Sequence, residues 1–370
     1  MILGLLPSIR GGLGELAKTG QHTRLIDGYL KPYARAFDEV RYFSYLDESL
    51  ERYTADPAVR ASVRLYAAPG VHPWLWTLWM PLRHARPLRA CGVLRVFQVT
   101  GTLPAVIARR RDGVPFATSY GFSYARLAGS PFRGWLRRVV ERVGLASADA
   151  VIVPTEELRA VVARRVSPER IHLVPNGVDT ERFRPAPVRP TGGVRTVLYV
   201  GRLSAEKNLE TLVDAAAKLQ GRFDLRLVLI GQGPMRDALE QRARRRGVAA
   251  ELVPVVDHHA LPARFAAASA FVLPSHTEGH PKVLLEAMAC GLPCVASNVG
   301  GSRSIVTDGE SGLLFEPDDP DALAERLEWV LGQDDLAARL GERARAVVTE
   351  RYALGTLVAR EIALLRRIGR

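Results

Sequence analysis

The segment Glu278-Gly279-His280-Pro281-Lys282-Val283-Leu284-Leu285-Glu286 carries the densest set of groups able to do chemistry. Pro281 suits the first position of a helix, which would leave the amides of residues 280–283 as unpaired donors. Such donors suit a hydroxyl-rich or anionic group. Eight residues at helical rise span about 12 Å, too far for Glu278 and Glu286 to share one proton. The two carboxylates could instead grip the hydroxyls at both ends of one elongated ligand, and a nucleotide-sugar has that shape. Glutamates are also common near helix starts, so this spacing alone does not decide the matter.

A second cluster, Gly201-Arg202-Leu203-Ser204-Ala205-Glu206-Lys207-Asn208, directly follows the apolar run at 196–200. Ser204 can cap a helix there, leaving the Lys207 side chain and the first helix amides near the end of a strand. Arg202, in the turn, brings a planar fork able to hold two phosphate oxygens. Together they make a pyrophosphate site without a Walker-type loop; the competing reading is a solvated basic pair. Lysine occurs only at 18, 31, 207, 218 and 282 in this arginine-rich chain, so Lys207 and Lys282 stand out inside their motifs. In Arg10-Gly11-Gly12-Leu13-Gly14, glycines would let backbone approach a ligand and set amides against a phosphate. A bare tight turn is the alternative.

Residues so placed need strands that end beside them. Short β-branched runs alternate with amphipathic stretches, the pattern of a parallel sheet covered by helices. Strands are expected at 2–6, 39–45, 62–67, 93–99, 115–120, 150–153 and 171–174, then at 196–200, 225–230, 251–256, 270–273, 293–296 and 312–315. Helices are expected at 13–36, 73–90, 103–111, 133–146 and 155–166, after Ser204, and from Pro320. The reading is α/β, with two Rossmann-like doubly wound domains facing across a cleft. An N-terminal acceptor-binding domain takes residues 1–175, a Pro- and Gly-rich linker 176–193, and a donor-binding domain 194–370. The last helix is a candidate to pack back on the N-terminal domain. Ligands of such folds sit outside the carboxyl ends of the strands.

The joint order of these motifs resembles the GT-B glycosyltransferases of family 4. Arg202 and Lys207, the Glu278…Glu286 motif with its Glu-Ala-Met-Ala-Cys-Gly-Leu-Pro tail, Gly300-Gly301, and Asp308-Gly309-Glu310-Ser311-Gly312-Leu313-Leu314 all match. So do Pro175-Asn176-Gly177-Val178-Asp179 and Phe183. The match is specific from about 150 to 330 and weaker over 1–150. The resemblance implies transfer of a sugar from a nucleotide diphosphate donor to a glycan or glycolipid acceptor, with retained anomeric configuration and no metal or other cofactor. It assigns Arg202, Lys207 and Glu278 to catalysis. Arg202 and Lys207 would neutralise the leaving diphosphate, Glu278 would hold donor-sugar hydroxyls and Glu286 the ribose. Gly12, Gly279, His280, Pro281 and Lys282 complete the donor-binding set. Two positions depart from the family pattern: Tyr120 stands where many members carry a histidine, on the acceptor side, and Ser304 where an acidic residue is frequent.

Composition narrows the rivals. With 370 residues, 47% hydrophobic and 24% charged, the chain is long enough for two domains and is neither disordered nor fibrous. Three cysteines exclude a disulfide framework and favour a cytoplasmic setting. Residues 1–6 lack a basic region and cleavage site and read as a strand rather than a signal peptide. The net charge of +12 implies an anionic partner. Nucleic acid is disfavoured because aromatic-basic recognition motifs and zinc ligands are absent. A nucleotide-sugar epimerase or phosphorylase on the same fold is the nearer rival. Asp319-Pro320-Asp321 reads as a helix cap, Asp257-His258-His259 as a solvated loop, and Trp74, Trp76 and Trp79 as core or acceptor-pocket lining. The stretch from Arg133 to Arg142, with Trp135 interleaved, reads as a surface helix or as a basic amphipathic face for an anionic membrane, which would make the protein peripheral on the inner membrane face.

Overall fold

Central strands of a parallel sheet are covered by helices on both faces, so they must be apolar on both sides. Thirteen such segments form two all-parallel sheets in the computed structural model. The structure describes residues 1–121, 131–186 and 193–370, with the side chains of 131–133 outside the description. The chain divides into two units, residues 1–175 with 356–370, and residues 176–355.

The first unit holds β1 (Ile2–Leu6), β2 (Glu39–Phe43), β3 (Val63–Tyr66), β4 (Val93–Val96), β5 (Phe116–Ser119), β6 (Ala150–Val153) and β7 (Ile171–Leu173), in the order 3-2-1-4-5-6-7. Leu6, Trp76, Leu94, Phe116 and Val151 centre its core. The expected long helix at 13–36 is interrupted instead. Helix Leu13–Ala17 stops at Gly20, whose φ of +67° is left-handed, and a π-turn at Ile26–Leu30 follows. Helix Leu354–Ile368 belongs here through its last thirteen residues, 356–368. Its Glu361 accepts from Arg95 Nε at 2.6 Å and from the Tyr33 hydroxyl at 2.5 Å, and Arg95 Nη2 donates to Ser119 Oγ at 2.8 Å. Arg95 and Glu361 are both buried, so each needs the other: losing one partner of such a pair typically costs about 3–5 kcal/mol.

The second unit holds β8 (Arg195–Val200), β9 (Leu225–Ile230), β10 (Ala250–Val253), β11 (Ala270–Leu273), β12 (Cys294–Ser297) and β13 (Leu313–Phe315), in the order 10-9-8-11-12-13. Leu198, Leu229, Phe271, Leu285 and Val295 form its centre. Both orders reverse direction at one point, beside β1 and β4 in the first unit and beside β8 and β11 in the second. Doubly wound sheets bind ligands at such switch points.

The first half of the expected linker is not a linker. Val178 and Phe183 are buried in the second core, and Arg345 Nη1 donates to the Phe183 carbonyl at 2.7 Å. Residues 187–192 of that segment lie outside the described residues. Among the described residues, no helix is long and apolar enough to cross a membrane.

Candidate active site

In the second unit the switch point is lined by the loops that follow β8 and β11. The β8 loop is clamped from behind. Gly201 N donates to Ile230 O at 2.9 Å and Leu203 N to Gln232 O at 3.0 Å. Gly231, at φ +148°, lies so close that a Cβ there would fall 1.9 Å from the Gly201 carbonyl oxygen, so only glycine fits. The Tyr199 hydroxyl donates to Arg202 O at 2.9 Å, and burial raises its pKa further from neutrality. The Arg202 side chain is left exposed beyond this support.

The expected cap at Ser204 differs. A 3-10 turn, Ala205–Lys207, comes first, and Ser204 makes no side-chain cap bond. Asn208 then takes left-handed geometry (φ +53°) before helix Leu209–Lys218 begins. This turn aims Lys207 at the neighbouring loop, where Nζ lies 2.6 Å from Glu278 Oε1. Ser275 Oγ donates to the same oxygen at 2.7 Å, and His276 N donates to Glu206 O at 3.0 Å. Glu278 is held from the far side by the short helix Gly300–Arg303. A Cβ on Gly301 would sit 2.5 Å from the Glu278 carbonyl oxygen, so this glycine sets how close the helix can come. Lys207 and Glu278, 71 residues apart, are thus brought together with both side chains still partly open to solvent.

The rest of the motif divides differently from expectation. Pro281 is the N-cap rather than the first residue of helix Lys282–Ala289, because its ψ of 112° is extended. His280 is buried edge-on against Tyr352, and its carbonyl accepts from Asn176 Nδ2 at 2.7 Å. Burial, then the neighbouring Lys282 ammonium, pushes its pKa down to about 3, so the ring is neutral. Gly279 and Lys282 are half-buried. Ser304, where the family pattern favours an acid, donates to Gly301 O at 2.8 Å.

Glu286 lies inside, 2% exposed, and its Oε1 is 2.9 Å from His258 Nε2. This corrects the reading of Asp257-His258-His259 as a solvated loop: His258 is 3% exposed and packs against Phe183 at a ring distance of 5.1 Å. Its Nδ1 has no partner. A bare lone pair is cheaper to bury than an orphaned N–H, so Nε2 is assigned the proton it donates to Glu286. The sequence showed His258 only as part of Asp257-His258-His259; the clue to its burial was its place after a strand that ends at the same edge of the sheet.

In the first unit the glycine loop also differs from expectation. The amides of Leu13 and Gly14 are taken by Glu48, at 3.0 and 2.7 Å, and Ser44 Oγ donates to the same carboxylate at 2.6 Å. A Cβ on Gly12 would come within 2.7 Å of Glu48 Oε1 and of Ser44 Oγ, which gives this glycine a packing reason. Tyr120 is buried and donates to Glu141 Oε1 at 3.1 Å, on helix Pro131–Ser147. Burial raises the Glu141 pKa, opposed by that bond and by Arg165. Among the described residues, no group of three or more His, Cys, Asp or Glu side chains is arranged to hold a metal ion.

Comparison with known proteins covers both units. The family described as Glycosyl transferases group 1 matches residues 181–347, and Glycosyltransferase Family 4 matches residues 29–182. A D-inositol 3-phosphate glycosyltransferase of Frankia alni is 35% identical over 266 residues, 65% of this chain and 65% of its own length. An alpha-maltose-1-phosphate synthase of Mycolicibacterium smegmatis is 31% identical over 62% of this chain and 66% of its own. The chain therefore spans just under two thirds of these curated relatives. In fold, a sucrose-phosphate synthase of Thermosynechococcus elongatus superposes with a TM-score of 0.82 at 22% identity, covering 99% of this chain and 98% of that one.

Proposed function

The chain belongs to the group 1 and family 4 glycosyltransferases, of GT-B fold, and from that premise we propose that it moves a sugar from a nucleoside diphosphate sugar to a glycan or lipid-linked acceptor. The observation that carries the reading is the meeting of Lys207 and Glu278 at the switch point of the second sheet. An ammonium and a carboxylate meet where a doubly wound sheet takes its ligand, with the exposed Arg202 on the same loop as Lys207.

In this reading the donor diphosphate draws Lys207 away from Glu278. The freed carboxylate then accepts hydrogen bonds from hydroxyls of the donor sugar. As the bond from the anomeric carbon to the diphosphate breaks, negative charge grows on the leaving phosphate, and Arg202 and Lys207 offset it. Glu286 accepts from the ribose hydroxyls, with His258 fixing the direction its carboxylate faces. Gly279, Pro281 and Lys282 border the donor. The neutral, buried His280 shapes the loop, and Tyr120 belongs to the acceptor side. Transfer proceeds with retention and without a metal ion.

A solved Anabaena protein, HepE, was crystallised with UDP-glucose and superposes with a TM-score of 0.77 at 19% identity over 98% of both chains, so that donor heads the panel to try. The test is thermal stabilisation across a panel of nucleotide-sugars, followed by product analysis with and without acceptor. Stabilisation by one donor and sugar transfer only with acceptor is expected. Conversion of donor alone to an epimer, or no stabilisation by any donor, would sink the reading.

A further inference from the structure

Trp74, Trp76 and Trp79 were expected as core or acceptor-pocket lining; they lie on helix Pro73–Arg83, and only one of its faces is core. Trp76, Thr77 and Met80 are buried, with Trp76 Nε1 donating to Ser44 O at 2.9 Å and Thr77 Oγ1 donating to Pro73 O at 2.8 Å. The other face carries Trp74, Leu75, Leu78, Trp79 and Leu82, all exposed, with Leu75 and Leu82 at 64% and 63%. These are five of the eleven exposed large hydrophobic side chains among the described residues, gathered on one short helix. Singly scattered apolar residues need no explanation, but a contiguous set does. Trp79 packs edge-on against the buried Trp76 at 5.7 Å, so the exposed face is presented rigidly.

The charge around the helix says what covers it. From Pro57 to Arg111 the sequence contains no aspartate or glutamate and nine arginines. Arg83 closes the helix, Arg86 and Arg89 lie on the next one, and Arg110 and Arg111 are exposed on helix Leu103–Asp112; Arg111 Nη1 reaches the Pro81 carbonyl at 2.9 Å. A symmetric contact with a second copy would press this arginine-rich surface against itself, and Asp112, the carboxylate that ends helix Leu103–Asp112, is already paired with Arg111 at 2.6 Å. An anionic bilayer answers both parts of the surface. Headgroup phosphates meet the arginines, and leucine and tryptophan side chains enter the boundary of the acyl region, as in helices that lie in the membrane plane.

We propose that helix Pro73–Arg83 is an interfacial anchor that docks the first unit on an anionic phospholipid bilayer. This puts the membrane contact on a different helix from the one around Trp135, which the sequence offers as a surface helix or as a basic face for an anionic membrane. On that helix Trp135 and Val139 are exposed, two apolar side chains against five on Pro73–Arg83, while Val140 and Val143 are half-buried and Leu145 is buried; the Arg133 side chain lies outside the described residues. The anchor stands apart from the transfer reaction, because it is read without substrate.

Sedimentation of the whole chain with vesicles of phosphatidylglycerol and phosphatidylcholine tests it. Binding to the anionic vesicles at low salt is expected, with little to phosphatidylcholine alone. The triple variant Leu75→Ser, Leu78→Ser, Leu82→Ser should bind at least tenfold more weakly while keeping its circular dichroism, whereas Trp135→Phe should bind as the parent does. As a measurement on a chain with an unaltered anchor, brominated lipids should quench the fluorescence of a Trp135→Phe, Trp329→Phe variant, since Trp74 and Trp79 would then sit at acyl depth. Absence of binding to anionic vesicles, binding unchanged by the triple variant, no quenching, or a dimer that the triple variant dissolves would each overturn the proposal.

Discussion

The loops after β1 and β8 hold equivalent places in two sheets that share one order over six strands, and they meet their neighbours by different means. In the first unit the loop after β4 packs backbone to backbone on the loop after β1: a Cβ on Gly101 would lie 2.2 Å from the Pro7 carbonyl oxygen. Amides nearby are satisfied by Glu48, a carboxylate of the chain itself. In the second unit the two corresponding loops are bridged by side chains, Lys207 to Glu278. Backbone contacts of the first kind cannot be exchanged for a ligand without moving the chain. A lysine–glutamate contact can, because both partners keep their charges and have rotamers to spare. Equivalent topology thus yields a closed switch point in one unit and an exchangeable one in the other.

The largest expected effects break the exchangeable pair. Glu278→Gln should lower kcat about a hundredfold, and Lys207→Ala at least about tenfold, or roughly 2.7 and 1.4 kcal/mol of transition-state stabilisation. Because the two groups touch, the double variant should lose less than the product of the single losses. Steady-state kinetics with saturating acceptor reads both; near-normal turnover of either single variant would remove that residue from the mechanism.

A smaller effect is expected one step inside. His258→Ala should raise the donor KM about tenfold with kcat within about twofold, since it loosens Glu286 without touching the reacting atoms. The preference for a ribose over a 2′-deoxyribose donor should shrink in the same variant, and His258→Gln should restore part of it. A fall in kcat alone would point to another role.

Glu48→Ala sharpens the comparison from the other side. Two amides and a hydroxyl lose their acceptor, so stability should fall by about 1–3 kcal/mol, read as a lower melting temperature. If the freed amides then meet a donor phosphate, the donor KM should drop a few-fold. An unchanged KM would leave Gly12 and its loop with packing alone. The smallest effect concerns metal: transfer should persist within about twofold in excess chelator, and loss restored by magnesium or manganese would contradict a metal-independent reaction.

Much of the architecture was legible because a parallel strand covered on both faces is written as a short apolar run. All thirteen runs expected from the sequence became strands, with ends shifted by a few residues, as at 93–99 against Val93–Val96. The pairing of Glu278 with Lys207 was less visible, since it depends on a 3-10 turn and a left-handed Asn208 that propensities do not foretell. His258 and Glu48 were missed for one physical reason: each is defined by a partner far along the chain, Glu286 and the Leu13–Gly14 amides. The outward face of the Trp74–Leu82 stretch was not legible because, Thr77 aside, it is apolar at every position, so periodicity cannot say which side faces out.

The Glu361 carboxylate that pairs with Arg95 also sets a schedule for the first unit during synthesis. Its seven strands are complete at Leu173, yet the partner of a buried guanidinium is translated only when residue 361 is reached. At ordinary elongation rates of about 5–20 residues per second, the intervening stretch takes roughly 10–40 s to make. For that interval the nascent unit carries an unanswered charge on β4, together with the Tyr33 hydroxyl that Glu361 accepts from. Final consolidation of the first half of the molecule therefore waits on the second, and a chain interrupted before Glu361 leaves the ribosome with its N-terminal half unfinished.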